Sequence, residues 1–153
     1  MKTALILSDT HGDVLTIGKL REIMVETDYV IHLGDVNADI ARFKAEFPNK
    51  VITVAGNCDG GSGYKVIEIE GVKILLTHGH DFSVKSGLTR LNYFALGIGV
   101  NVVFYGHTHQ SNLTTEGNIT FVNPGTFKGF FKSYAYAVFN DKKHVIKIVD
   151  LVK

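Results

Sequence analysis

The sequence is poor in cysteine, in proline and in net charge: one cysteine, two prolines, and 16 basic against 15 acidic side chains for a net charge of +1. A lone Cys58 forms no intramolecular disulfide and no cysteine-rich zinc site, which agrees with a reducing compartment. Near-neutral charge offers no basic field for nucleic acid and no acidic field for a cationic partner, so no stable nucleic-acid binding is expected. Long apolar runs are missing too. After Lys2 the run Ala4 to Leu7 stops at Ser8 and Asp9, short of the roughly 7–15 apolar residues of a signal-peptide core. The stretch from Tyr93 to Tyr105 carries Asn101 and two glycines and falls short of the roughly 20 residues of a transmembrane helix. The expectation is a soluble, cytoplasmic protein with no membrane partner. With 153 residues, 45% apolar and 20% charged, the chain is long enough to bury a core without staples. It reads as one domain over 1–153, with no linker, repeat or low-complexity tract.

What is present begins with alternation. Thr3 to Leu7 is a continuous apolar run, as for a strand buried on both faces. Asp13 then suits an N-cap for a helix over 14–27, with Val14, Ile17, Leu20 and Met24 at helical spacing. Tyr29 to Leu33 is a second strand. Asn37 or Asp39 can cap a short helix with Ile40, Phe43 and Phe47 on one face, ended by Pro48. Val51 to Ala55 is a third strand. Hairpins follow: 65–70 with 72–77 around Gly71, then 113–116 with 119–122, and 134–139 with 144–149. A helix over 87–98 and a strand over 102–105 lie between. Alternation followed by hairpins predicts an α/β core carrying a second, largely antiparallel sheet.

Five polar clusters each follow an apolar strand: Asp9-Thr10-His11, Gly34-Asp35, Gly56-Asn57-Cys58-Asp59, His78-Gly79-His80 and Gly106-His107-Thr108-His109. In α/β sheets, sites form beyond the carboxyl ends of strands. These clusters hold five of the seven histidines. Imidazole, carboxylate and amide oxygen together suit Mn, Fe, Zn, Co or Ni, whereas Mg and Ca prefer oxygen alone. The candidate donors Asp9, His11, Asp35, Asn57, His78, His107 and His109 exceed the needs of one four-coordinate ion. They suffice for two ions sharing a carboxylate, about 3.5–4 Å apart, the spacing used for displacement at phosphorus. Two divalent ions outweigh the charges of Asp9, Asp35 and a hydroxide, so the centre would stay positive and attract a phosphate.

Other chemistries fail on spacing. Gly12 and Gly18-Lys19 enclose five residues and are followed by Leu20, which breaks the P-loop pattern. No Gly-x-Gly-x-x-Gly follows the first strand. No Gly-x-Ser-x-Gly elbow occurs. The residue six after Cys58 is Tyr64, not the arginine a cysteine phosphatase wants.

In this order the clusters resemble the calcineurin-like metallophosphoesterase superfamily, and its small single-domain phosphodiesterase branch in particular, which includes the retromer-subunit scaffold. The likeness spans residues 9–109, and Asn123-Pro124-Gly125-Thr126 extends it. The resemblance implies an α/β fold, a β-sandwich of two mixed sheets flanked by helices, with two metals at one edge. By motif, Asp9, His11, Asp35 and His109 would hold the first ion, and Asp35, Asn57, His78 and His107 the second. Asp35 would bridge them. The implied cofactors are two divalent transition-metal ions, manganese first, with Ni, Co, Fe or Zn as alternatives. The implied reaction is in-line hydrolysis of a phosphodiester, a nucleotide among the candidates, by a metal-bridging hydroxide. Phosphomonoesterase or nucleotidase activity, or a catalytically weak protein-binding scaffold, are the competing readings.

Two departures stand out. Cys58 occupies the place where many family phosphatases carry a histidine that gives a proton or touches substrate, and a thiol is the weaker donor. Preference for diesters with stable leaving groups would follow. Thr126 and Lys128 stand where related sequences often carry Ser and a later Arg. Several residues carry a plain reading beside a functional one. His80 either orients a ligand or faces substrate, and Asp59 is a loop cap or an orienting group. Cys58 is a small packing residue or a catalytic one. His32 is read as a hydrogen-bonded residue, either of the core or supporting the site from behind, and His144 as solvated. Phe127, Phe130 and Phe131 suit core, a cleft wall, or a contact between copies in a homodimer or higher oligomer.

Overall fold

The computed structural model describes residues 1–61 and 63–151. Its layering follows from the first apolar run. In β1 (Lys2–Leu7) Ala4 and Ile6 point into one cluster and Leu5 and Leu7 into another, and all four are fully buried. A strand covered on both faces has no room for a polar side chain.

β1 lies inside a five-stranded sheet of order β10-β9-β1-β2-β3. It pairs in parallel with β2 (Tyr29–His32), which pairs in parallel with β3 (Val51–Thr53), and antiparallel with β9 (Lys132–Asn140), which pairs antiparallel with β10 (Lys143–Leu151). The second sheet has the order β4-β5-β6-β8-β7. Here β5 (Val72–Thr77), β6 (Val102–Phe104) and β8 (Ile119–Asn123) run parallel. β4 (Tyr64–Ile69) and β7 (Asn112–Glu116) are antiparallel edges. The sheets face each other across Ile6, Ile31, Leu76, Phe104, Val122 and Phe139. Helices α1 (Val14–Lys19), α2 (Arg21–Glu26) and α3 (Ala41–Glu46) cover the outer face of the first sheet through Ile17, Met24 and Phe43. Helix α4 (Thr89–Ile98) covers the outer face of the second through Leu91 and Ala95. The result is an α/β sandwich of two mixed sheets flanked by helices.

The structure corrects several expectations. The second sheet is mixed, with a parallel centre, and the last hairpin joins the first sheet. β9 has buried residues on both faces, Ala135 and Phe139 on one and Tyr134 on the other, so it seats beside β1 as an interior strand. The helix expected over 14–27 breaks at Leu20, whose amide bonds to Ile17 O at 3.0 Å and closes a tighter turn after the poor helix former Gly18. Asp13 does cap α1, accepting from Thr16 N at 3.1 Å. Neither Asn37 nor Asp39 caps a helix. A 3-10 turn, Asn37–Ile40, leads into α3; Val36, with a left-handed backbone, starts the turn and Ile40 precedes α3, neither with a side-chain capping bond, because the Asn37 and Asp39 side chains bind elsewhere. Among the described residues no helix is long and apolar enough to cross a membrane.

Candidate metal centre

The turns after β1, β2, β3, β5 and β6 are stitched together by their backbones. Asp9 N donates to Gly34 O and Gly106 N to His78 O, both at 2.9 Å. Asp59 accepts from Asp35 N at 2.8 Å, Gly56 N at 2.9 Å and Asn37 N at 2.9 Å, so one carboxylate ties the second turn to the third. Asp59 thus orients its neighbours.

Close approach explains two of the glycines. A Cβ on Gly56 would stand 2.3 Å from Asp35 Oδ1, and one on Gly106 would stand 2.1 Å from Ser8 Oγ and 2.7 Å from Asp9 Oδ2. Neither site tolerates a side chain without moving a carboxylate. The backbone itself is unusual. Asp9, His11, Asp35, His107 and His109 all have φ between 43° and 73°, a left-handed region that costs a non-glycine residue about 1–3 kcal/mol where the surroundings hold it there. Five of the seven candidate donors share this conformation, which aims short side chains inward from tight turns.

The side chains converge on two groups: Asp9, His11, Asp35 and His109, and Asp35, His78 and His107. Within each group the donor atoms lie within 4.8 Å of one another. Asp35 belongs to both. In the first, Asp9 Oδ1 faces His109 Nε2 at 3.3 Å and His11 Nε2 at 3.8 Å, and His11 and His109 bring their Nε2 atoms to 3.3 Å. In the second, His78 Nε2 stands 3.2 Å from His107 Nδ1 and 3.5 Å from Asp35 Oδ2. Ligand atoms bound at about 2.1 Å to one ion are separated by about 3.0–3.4 Å, so most of these distances match the edges of a coordination shell.

Several observations fit cations here. Asp9 Oδ1 is buried with no hydrogen-bond partner among the described residues, while Oδ2 accepts from Ser8 Oγ at 2.6 Å and His107 N at 3.0 Å. An unpaired buried carboxylate oxygen is costly unless a positive charge meets it. His78 Nδ1 lies 3.0 Å from Leu33 O. Donation there leaves Nε2 as a lone pair directed at the centre, the usual arrangement of a ligating histidine. The Asn57 carboxamide oxygen points inward, toward the lone pairs of His78 Nε2 and both Asp35 oxygens, a position that a cation stabilises; with the amide turned over, its nitrogen would donate to the same three atoms at 3.1 Å. The residues present therefore fit divalent metal ions.

Charge is balanced by the neighbours. Burial raises the Asp35 pKa, but His78, the Cys58 amide bond and His11 outweigh it and hold the carboxyl below its ordinary value. Burial lowers the His107 pKa, and the charges of His78 and Lys85 lower it further, which favours the neutral ring a metal needs. Cys58 is exposed, with its amide donating to Asp35 Oδ1 at 3.1 Å. The Asp35 charge, with some desolvation and a bond to Asp35, pushes its thiol up. His80 stands beside the donors, its ring 5.4 Å from that of His78 and its Nε2 3.4 Å from Asp81 Oδ1.

Behind the donors lies a supporting layer, in which the sequence pointed to His32 but not to Thr10 or Asp39. His32 Nδ1 accepts from Gly34 N at 3.1 Å, so Nε2 carries the proton toward Thr10 Oγ1 at 2.9 Å. Thr10 donates to Asp39 Oδ2 at 2.6 Å, which also accepts from Gly12 N at 2.8 Å. This relay fixes the turn that carries Asp9 and His11. Burial pushes the His32 pKa down to about 4. Thr126 Oγ1 donates to Asp9 O at 2.7 Å, and Asn123 Nδ2 donates to Gly106 O at 3.3 Å and Thr108 Oγ1 at 2.9 Å. The Asn-Pro-Gly-Thr turn thus braces two site turns, and its turn chemistry was the available signal. Phe127 is core, whereas Phe130 and Phe131 are 66% and 86% exposed with rings 5.3 Å apart. His144, expected in solvent, is half-buried, and burial lowers its pKa.

Comparison with known proteins agrees with this geometry. Residues 1–143 match the calcineurin-like phosphoesterase superfamily domain. The chain is 35% identical to the probable metallophosphoesterase YsnB of Bacillus subtilis over 81% of this chain and 74% of that protein. It is 30% identical to a phosphodiesterase of Methanocaldococcus jannaschii over 82% of this chain and 84% of that one. Among solved structures, a predicted phosphoesterase from Streptococcus pneumoniae superposes with a TM-score of 0.80 at 28% identity, covering 97% of this chain and 89% of that one. Vacuolar Protein Sorting 29 from Cryptosporidium parvum shares the fold, with a TM-score of 0.75 at 19% identity over 99% and 98% of the two chains. With residues 1–143 of its 153 matched to the family's domain, this chain belongs to the calcineurin-like phosphoesterase superfamily.

Proposed function

We propose that the chain is a metal-dependent phosphodiesterase whose centre holds two divalent transition-metal ions, manganese first among the candidates. The observation that carries the reading is Asp9 Oδ1, buried without a hydrogen-bond partner among the described residues and ringed by histidine nitrogens. Asp9, His11, Asp35 and His109 would hold one ion, and Asp35, Asn57, His78 and His107 the other. When bound, the ions would supply a lowered water pKa and positive charge for the phosphoryl oxygens.

The chain's own residues do the rest. Leu33 O and the His78 ring fix one tautomer, and Asp59 and Thr126 hold the carboxylate-bearing turns. Asp35, kept ionised by His78 and His11, is the carboxylate both ions would share. Cys58 and His80 flank the centre and would contact the ester oxygens of a substrate. A diester is favoured because the group beside Asn57 is a thiol, a weak hydrogen-bond donor to an alkoxide leaving group. The M. jannaschii relative, by its name a phosphodiesterase, supports the same class. Function as a monoesterase would require a better proton donor in that place. A scaffold role would not require this donor set, and elemental analysis separates it from an enzyme.

Asp35→Ala is the test. Wild type should carry two ions per chain and hydrolyse bis(p-nitrophenyl) phosphate faster than p-nitrophenyl phosphate. Asp35→Ala should lose both ions together, and activity should fall by about 100-fold or more. Two retained ions and full activity would remove Asp35 from the centre.

A further inference from the structure

Beside the turn that carries His107 and His109 lies an open cleft of about 470 Å³, lined among others by Lys85, Leu88, Tyr105, Thr108, Gln110 and Asn112. That volume suits a small ligand, and no acidic side chain lines it. Thr108 and Gln110 flank His109 in sequence, so cleft and centre share one turn.

Two lining groups are poised for an anion. Lys85 is exposed and makes no ion pair and no side-chain hydrogen bond with the described residues. Tyr105 is only 3% exposed. Its oxygen accepts from Asn112 Nδ2 at 3.0 Å, so the phenol proton has no acceptor among the described residues. A buried hydroxyl with its proton to spare is costly unless a ligand receives it. A cation and a neutral O–H donor at one cleft are complementary to phosphate oxygens.

We infer that this cleft is a specificity subsite, in which Lys85 and Tyr105 hold a second phosphate of a phosphodiester whose scissile phosphate sits at the metal centre. The substrate class is then a phosphorylated diester, such as a dinucleotide with a terminal phosphate, rather than a simple diester. The inference rests on the phosphodiesterase reading.

The test compares two ligands that differ only in a terminal phosphate: phosphorothioate-linked dithymidine with and without a 5′-phosphate. Calorimetric titration of the metal-loaded protein should show about tenfold tighter binding of the phosphorylated form. Lys85→Gln should abolish that preference, Lys85→Arg should retain it, and Tyr105→Phe should reduce it. Equal affinities in wild type, or a preference that survives Lys85→Gln, would overturn the subsite. Hydrolysis of bis(p-nitrophenyl) phosphate, which carries no second phosphate, is followed in parallel as a readout of the metal centre. If no variant hydrolyses that diester yet the binding preference depends on Lys85, the phosphodiesterase reading fails and the anion subsite stands.

Discussion

Cys58 is the residue at which this chain departs most from the chemistry its neighbours suggest. Its amide donates to Asp35 and its thiol is exposed. A leaving alkoxide of high pKa needs a proton as its bond breaks, whereas a nitrophenolate hardly does. Cys58→His should therefore raise turnover of alkyl diesters or monoesters by about tenfold relative to activated aryl diesters. The ratio of the two effects is the measurement, since a general loss of folding lowers both alike. A variant that holds both metals and leaves the ratio unchanged would make Cys58 a packing residue. Six of the seven candidate donors were legible in the sequence because each follows an apolar run and each is a metal-binding type, whereas Asn57, a turn residue by its setting, rested mainly on the family resemblance. His32 was legible as a hydrogen-bonded core or supporting residue, whereas Thr10, Asp39 and Thr126 were not legible as supporting residues. Their roles depend on which turns meet in space, and a serine or threonine next to a turn is ordinary in any loop.

Elements were legible where local periodicity decided them. β1 declared itself as a continuous apolar run, and the β4–β5 hairpin as two strands around Gly71. Sheet membership was not legible, because the alternation in β9 and β10 specifies a hairpin but not the edge it joins. That choice rests on Ala135, Ala137 and Phe139 packing with Ala4 and Ile6 in one core. The break in the first helix was similarly hidden, since Val14, Ile17, Leu20 and Met24 keep helical spacing across it. Gly18 sits in α1 with an exposed face, and a Cβ there meets nothing within 4 Å. Gly18→Ala should thus stabilise the protein by about 0.4–1 kcal/mol, mainly by restricting the unfolded chain. Chemical denaturation of the two proteins under one condition checks this. A loss of stability would mean that the turn at Leu20 needs the glycine.

At the scale of the whole molecule, five turns from two sheets meet at one centre, and the interior that supports them is sensitive to acid. His32 is fully buried, and both its ring nitrogens are engaged in the neutral form. Its folded pKa is about 4 against 6.5 for the free side chain. Above about pH 6.5 both folded and unfolded states hold it neutral, and it contributes no pH dependence. As pH falls below that, the unfolded chain takes up a proton that the folded chain refuses, so unfolding is favoured. The loss grows until about pH 4, where the folded ring also protonates, and it totals on the order of 3 kcal/mol. His107 and His144, also lowered by burial, act in the same direction. Urea unfolding between pH 7.5 and 4, with chelator present throughout, removes metal release from the comparison. Wild type should lose stability steadily across that window. His32→Asn keeps an acceptor for Gly34 N and removes the titrating ring, so it should start less stable at pH 7.5 and lose clearly less on acidification. Equal slopes for the two proteins would show that His32 does not remain neutral in the fold, and that the acid sensitivity arises at the histidines of the centre instead.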